Sequence, residues 1–285
     1  MTTFPVVPFV LATALAVNGA RSRKLSPSGA ATAFVVGFLV MAAPVRAIGV
    51  TLITFYLLAS RATKYGKKRK AQLEEGFQDA GYRTGWQVLC NSIAAFIASI
   101  IWSVTFTPNV LPWSLLPSCS VPLKVHLYDT ESWCPFRALL FIVLGQFACC
   151  LGDTLASELG ILSTSRPILI TTLKPVPPGT NGAISVGGTL ASVVGGCVVG
   201  LTLFASLVAD WMGILPSLVL WGTAAGVLGS MLDSFLGATI QRTRYSVDSK
   251  RVLQDASVPR DKESIKVIGG LNLLTNNQVR PVTST

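Results

Sequence analysis

Gly152-Asp153-Thr154-Leu155-Ala156-Ser157-Glu158-Leu159-Gly160 sets two carboxylates at the end of a strongly apolar run, Phe136 to Leu151. An ionised group at bilayer depth is costly, and it persists mainly where it faces protein, water, an ion or a substrate. Asp233 repeats the arrangement. It ends the apolar run Ile214 to Leu232 and is followed by Ser234, as Asp153 is followed by Thr154. The pattern predicts a membrane protein with a polar site built between helices.

Composition agrees. Of 285 residues, 51% are hydrophobic and 13% charged, where soluble domains carry about 25% charged residues; the mean hydropathy is +0.58. The expected fold is an all-α polytopic membrane protein of about seven transmembrane helices. The spans are read at Phe4–Ala20, Ser28–Ala43, Val45–Ala59, Trp86–Thr107, Phe136–Gly152, Ala183–Ala209 and Ile214–Leu232, near the roughly 20 residues that cross a hydrocarbon core. The second and third meet at Pro44 and could form one re-entrant hairpin. Residues 1–240 read as a single transmembrane helical domain and 241–285 as a polar tail. Within the tail, Ile265–Leu274 is too short to span and reads as interfacial or docked, and Arg280–Thr285 as disordered.

A net charge of +10 would suggest nucleic acid in a soluble protein, but its distribution argues against that. Connections on one side hold Arg21, Arg23 and Lys24, then Arg61 to Arg83, then Arg166 and Lys174, then the tail from Arg242; the other side holds few charges. This bias assigns the basic loops and the C-terminus to the cytosol and the N-terminus to the other side. The run Lys67–Lys70 reads as a topology signal that also touches anionic lipid. Basic residues follow the first apolar run rather than precede it, which fits an anchor and not a cleaved leader. With no plastid transit peptide read before Phe4, an endomembrane, by default the endoplasmic reticulum, is expected.

The six cysteines do not form a metal framework. Four lie in apolar spans, and Cys119 and Cys134 share a long loop in which a disulfide stays open. The single histidine, His126, reads as a surface residue.

The topology brings Asp153 and Asp233 to the same face, because each follows a run of about 17–19 residues that nearly crosses the core at 1.5 Å per residue. Lys24, Arg61, Lys64 and Asn91 are expected at that depth too. Asp153 and Glu158 diverge by about 140° on a regular helix, so one ion held by both requires a helix break, or a partner helix supplying Asp233. Interhelical hydrogen bonding that only aids packing is the alternative.

The stretch Lys174-Pro175-Val176-Pro177-Pro178-Gly179-Thr180-Asn181-Gly182 demands a fixed, turned loop. Backbone N–H groups around Gly179, Thr180, Asn181 and Gly182 suit a phosphate, and Lys174 could reach an anion there. A proline-stiffened connector is the competing reading. Ser28-Gly29-Ala30 and Asn181-Gly182-Ala183 match loosely, a weak hint of internal duplication.

Together Lys24–Ala30, Ser60–Lys64, Trp86–Asn91, Gly152–Gly160, Lys174–Gly182, Leu232–Gln241 and Leu273–Val279 resemble the transmembrane protein 19 family of integral membrane proteins. The resemblance implies a prenyl-phosphate kinase, because the plant member of that family is a phytyl-phosphate kinase. A looser likeness is to dolichol kinases and membrane cytidylyltransferases. Family members tend to continue past Asn276-Asn277-Gln278-Val279 into a final apolar span, whereas this sequence goes to Arg280-Pro281-Val282-Thr283-Ser284-Thr285, which reads as a shortened end.

The expected function joins both lines: an integral membrane prenyl-phosphate kinase at the cytosolic interface, taking its phosphoryl group from a nucleoside triphosphate. Mg²⁺ would be held by Asp153, Glu158 and Asp233, since this ion binds through one or two carboxylates plus phosphate and water. Lys174, Arg61, Lys64 and Lys24 would offset phosphoryl charge. A phosphate acceptor is already ionised and needs no general base, unlike a lipid alcohol. The expected partners are membrane lipid, prenyl phosphate and nucleotide, without nucleic acid. The rival classes are an ion-coupled membrane transporter, a lipid-alcohol kinase or cytidylyltransferase, and a scaffold.

Overall fold

The computed structural model describes residues 4–75, 82–106, 111–115, 133–209, 217–253 and 264–271. Nine α-helices run through them: α1 (Val6–Arg21), α2 (Pro27–Ala42), α3 (Arg46–Lys64), α4 (Lys67–Leu73), α5 (Gly85–Cys90), α6 (Ile93–Phe106), α7 (Trp133–Gly160), α8 (Val186–Ala209) and α9 (Ser217–Ile240). Strands are short: β1 (Glu74–Glu75), β2 (Ile168–Leu169), β3 (Ala183–Ile184), β4 (Thr243–Ser246), β5 (Arg251–Leu253) and β6 (Ile265–Gly269).

Among the described residues, three helices are long and apolar enough to cross a membrane: Arg137–Gly160 within α7, then α8 and α9, 24 residues each. Val6–Arg21, Pro27–Ala42 and Ile93–Thr105 are apolar but shorter. The expected count of about seven spans is thus met in part. The segment read as one fourth span is two helices, α5 and α6, parted at Asn91–Ser92. Conversely, α7 continues through the acidic motif to Gly160, and α9 continues past Asp233 to Ile240. Both aspartates therefore sit within their helices, about two turns before the end, rather than beyond it.

The buried apolar core runs through α2, α3, α6, α7 and α8, and the closest helix packing is among α7, α8 and α9. Contacts of Gly160 with Gly188 and of Gly152 with Gly195 run in opposite senses along α7 and α8, and those of α8 with α9 do the same. Hence α8 is antiparallel to its neighbours and α7 and α9 are parallel. The interface is nearly backbone on backbone: a methyl added at Gly152 would lie 2.6 Å from the Gly226 carbonyl oxygen, and one at Gly226 would lie 2.8 Å from Gly196 Cα. Small residues permit such approach where lipid offers no hydrophobic drive. On the other flank α3 packs on α7, with Phe55 and Phe147 stacked at 5.7 Å. Phe4 and Phe9 join α1 to Phe34 and Phe38 of α2.

Helix starts follow local chemistry. Ser26 caps α2 by accepting the Gly29 N–H at 2.9 Å, with Pro27 in the first turn, where its missing donor costs nothing. Ser185 does the same for α8, accepting the Gly188 N–H at 3.1 Å.

The tail departs from the expected all-helical picture. After α9 it forms a small sheet in the order β1-β5-β4-β6, in which β1, from the loop after α4, pairs in parallel with β5. The apolar stretch beginning at Ile265 is β6, antiparallel to β4. It docks onto α9 through the Leu271 N–H, which donates to the Thr239 carbonyl at 2.8 Å. Strands this short carry no periodic signal of their own. Cys119, His126, the segment 276–279 and the terminal stretch 280–285 lie outside the described residues.

Candidate functional site

Polar groups from several segments gather at one end of the helices. Asp153 of α7 and Asp233 of α9 face each other across the parallel α7–α9 contact, near enough for their charges to act on one another. Neither has a hydrogen-bond or ion-pair partner among the described residues. Thr154 and Ser157 instead spend their hydroxyls on α7 itself, donating to the carbonyls of Cys150 and Thr154. Because α7 is regular here, Asp153 and Glu158 point apart, and the second carboxylate beside Asp153 comes from the neighbouring helix.

Glu158 is committed elsewhere. Its Oε2 lies 2.6 Å from Lys70 Nζ, which also donates to the Ala62 carbonyl at 3.0 Å. Lys70 is only 2% exposed. A buried ammonium requires such a partner, so Glu158 serves to hold α4 against α3 and α7. The run Lys67–Lys70, read from sequence as a topology signal, is therefore divided: Lys68 and Arg69 are exposed and Lys70 is buried.

A cationic group lies at the same end, where Arg83 feels the charge of Glu158. Lys24, in the turn between α1 and α2, sits over the Tyr56 ring at 5.9 Å. Burial first, then the charges of Lys64, Arg61 and Arg83, pull its ammonium below the ordinary lysine value. Arg83 was not singled out from the sequence. Backbone bonds fix it to the Lys24 turn: the Arg83 N–H donates to the Lys24 carbonyl at 2.9 Å, and the Arg83 carbonyl accepts from Ser26 at 3.0 Å. Burial lowers its guanidinium from the usual arginine value, and the negative charge of Glu158 opposes that. The only cue in the sequence is its place ahead of the Thr84–Gln87 capping box that opens α5. Asn91 lies at the α5–α6 break. The break abuts α7 through Gln146 Nε2, which donates to the Cys90 carbonyl at 3.4 Å and contacts Cys150 Sγ at 3.0 Å; Gln146 lies about two turns before Asp153.

The Lys174–Gly182 loop is fixed, as the prolines require. Strands β2 and β3 pair at its base, and the Leu169 N–H donates to the Lys174 carbonyl at 3.0 Å. Gly182 adopts φ 75° and is pressed against Ser234 and Ala238 of α9, so any side chain there would be both strained and obstructed. The loop thus touches α9 directly beside Asp233. Several of its donors are taken: Thr180 N–H by Pro177, Asn181 N–H by the Thr243 hydroxyl at 3.1 Å, and Ala183 N–H by Thr180. Gly179, with φ 86°, lies at the turn, and Lys174 is exposed.

Chemically, this end offers two unpaired carboxylates from facing helices and a separate cationic group of Lys24, Arg61, Lys64 and Arg83. No group of three or more His, Cys, Asp or Glu suited to a metal occurs among the described residues. Two hard oxygen donors do not make a closed zinc site. They suit an ion that takes one or two carboxylates and completes its shell with water and phosphate.

Comparison with known proteins agrees with a membrane assignment. Protein PGR of Arabidopsis thaliana is 35% identical over 283 residues, covering 96% of this chain and 90% of its own length. An uncharacterized membrane protein of Methanocaldococcus jannaschii is 29% identical, covering 83% of each chain. Protein VTE6, chloroplastic, also of Arabidopsis thaliana, is 26% identical over 82% of this chain and 60% of its own length. No solved structure matches. Residues 10–285 match the family described as integral membrane protein DUF92, and the chain belongs to that family of multi-pass membrane proteins.

Proposed function

We propose that the chain is a prenyl-phosphate kinase, transferring a phosphoryl group from a nucleoside triphosphate to an isoprenoid monophosphate held at the membrane interface. The observation that carries this reading is the unpaired Asp153–Asp233 couple, at the same end of the helices as the cationic group of Lys24, Arg61, Lys64 and Arg83. It is supported by the resemblance to the family whose plant member is a phytyl-phosphate kinase, and by the relatives just described. The positive-inside bias puts this end of the helices in the cytosol, and an endomembrane such as the endoplasmic reticulum is the proposed compartment.

In the proposed reaction an acceptor phosphate oxygen attacks the γ-phosphorus. The bond to the bridging oxygen breaks, and the nucleoside diphosphate leaves with those electrons. Lys24, Arg61, Lys64 and Arg83 hold the acceptor phosphate, and their charge offsets the negative charge that keeps two phosphates apart. Asp153 and Asp233 would hold Mg²⁺, which supplies charge neutralisation on the donor phosphates. The fixed Lys174–Gly182 loop, seated on α9 beside Asp233, is the proposed rest for the nucleotide phosphates, with Lys174 and the turn at Gly179 nearest solvent. Glu158 holds the scaffold through Lys70.

The test is transfer of label from γ-labelled nucleoside triphosphates to phytyl, farnesyl or geranylgeranyl monophosphate by the purified chain in liposomes with Mg²⁺. Diphosphate formed by the wild type but not by Asp153→Ala is the expected result. No product with any pair from folded protein would overturn it. Ion-coupled transport is the second reading, favoured by the α5–α6 break, since transport sites use interrupted helices; ion flux in the same liposomes would then be the decisive measurement.

A further inference from the structure

A cleft opens between α1, α2, α3 and α5. Its depth is apolar, lined by Ala12, Val36, Gly37, Met41 and Phe55 among others, while Arg83, Tyr56 and Asn91 stand together among its polar lining residues. The Tyr56 hydroxyl is buried at this neck, with Ser60 as its neighbour.

We propose that this cleft holds the chain of the isoprenoid monophosphate, with the phosphate at Arg83 and Lys24 and the Asn91 amide and Tyr56 hydroxyl at the neck; this rests on the kinase reading above. Charge decides the occupant. The polar end joins the cationic group of Lys24, Arg61, Lys64 and Arg83, and the nearby acid, Glu158, is already paired with Lys70. The wall is uncharged. An anionic head on a single apolar chain matches both ends, and neither a free phosphate nor a neutral lipid does. The neck lies on the α7 side of the flank: Asn91 is at the helix break that abuts α7 at Gln146, about two turns before Asp153.

Gly37 and Met41 set the depth. A methyl added at Gly37 would meet Met41 Cε at 3.8 Å and Ala12 Cβ at 3.9 Å, an ordinary contact. Bulk there therefore takes room from the ligand before it strains the fold. The experiment is photolabelling of the full chain in nanodiscs with geranylgeranyl monophosphate carrying a diazirine at its far end. Label on α1 and α2 around Ala12, Gly37 and Met41 is expected, competed by unlabelled geranylgeranyl monophosphate and not by inorganic phosphate or phosphatidic acid. Gly37→Val should weaken competition by the C20 chain relative to a C10 chain by about tenfold, the scale set by one or two methylenes in an apolar pocket. Met41→Ala should shift the ranking toward longer chains.

Label on α8 or α9, label that the unlabelled lipid does not compete, or a chain-length ranking unmoved by both variants would overturn the proposal. Competed label in the cleft with no diphosphate formed would keep the cleft and overturn the kinase reading. Diphosphate formed with label elsewhere would do the reverse.

Discussion

The α7–α8–α9 bundle and the cleft wall at Gly37 use glycine to opposite ends. In the bundle Gly152, Gly195, Gly196 and Gly226 bring backbones into contact, and an added methyl would strike main-chain atoms. At the cleft Gly37 leaves space, with side-chain carbons near 3.8 Å as the nearest atoms to an added methyl, whereas Gly29 and Gly85 on the same flank are packed against backbone. The same residue type therefore fixes the aspartate-bearing helices rigidly and keeps a hollow open beside them. A site that must hold charged groups in register while admitting a variable apolar chain needs both.

The largest effect that could break this contrast is chemical. Asp153→Ala should lower phosphoryl transfer by about 10²-fold or more, the scale of losing one aligned electrostatic group, while insertion and thermal unfolding stay near wild type. Retained turnover would remove the aspartate couple from the reaction.

Next comes the Lys70–Glu158 pair. Glu158→Ala leaves a buried ammonium unpartnered and should cost about 3 kcal/mol, the lower end for a broken buried pair because Glu158 keeps some access to water. Lys70→Met combined with Glu158→Leu should recover most of the loss in a detergent unfolding scan. If Glu158→Ala instead abolished transfer at unchanged stability, Glu158 would return to the reacting groups.

The glycine comparison itself is sharpened by two single methyls. Gly226→Ala should destabilise by about 1–3 kcal/mol through overpacking against backbone, and Gly37→Ala by no more than about 0.5 kcal/mol. Equal losses in matched unfolding scans would mean that both flanks are packed alike.

The smallest effect is one of pH. Lys24 sits below the ordinary lysine value, so it loses its proton, and with it part of the anion attraction, before pH reaches the usual range near ~10.4. Affinity for the prenyl monophosphate should decline with rising pH earlier than a free lysine predicts. Lys24→Arg should flatten that decline, and an unchanged profile would take Lys24 out of the anion site.

Much of this was legible in the sequence. The apolar runs and the acids that interrupt them identified α7, α8 and α9, and the matching senses of the runs before Asp153 and Asp233 predicted their meeting. The 140° divergence of Asp153 and Glu158 follows from a regular helix, and α7 is unbroken through both residues. What stayed hidden depends on long-range contact. Lys70 lies in a basic run whose four residues look alike, and only the approach of Glu158 buries one of them. Arg83 acquires its place from backbone bonds to Lys24, some sixty residues earlier in the chain. The β4–β6 sheet is missed because its strands are three to five residues long, and β1, which completes it, comes from a distant loop.

The bond from the Asn181 N–H to the Thr243 hydroxyl joins the loop beside Asp233 to the first strand of that sheet. Through β5 and β1 the same sheet reaches the loop after α4 and so Lys70. A protease nick between β5 and β6, or an affinity tag that disturbs β6, would loosen both supports of the aspartates from a distance. Preparations that differ only in how their tails were handled should therefore differ in activity, and intact mass is the first quantity to compare between them.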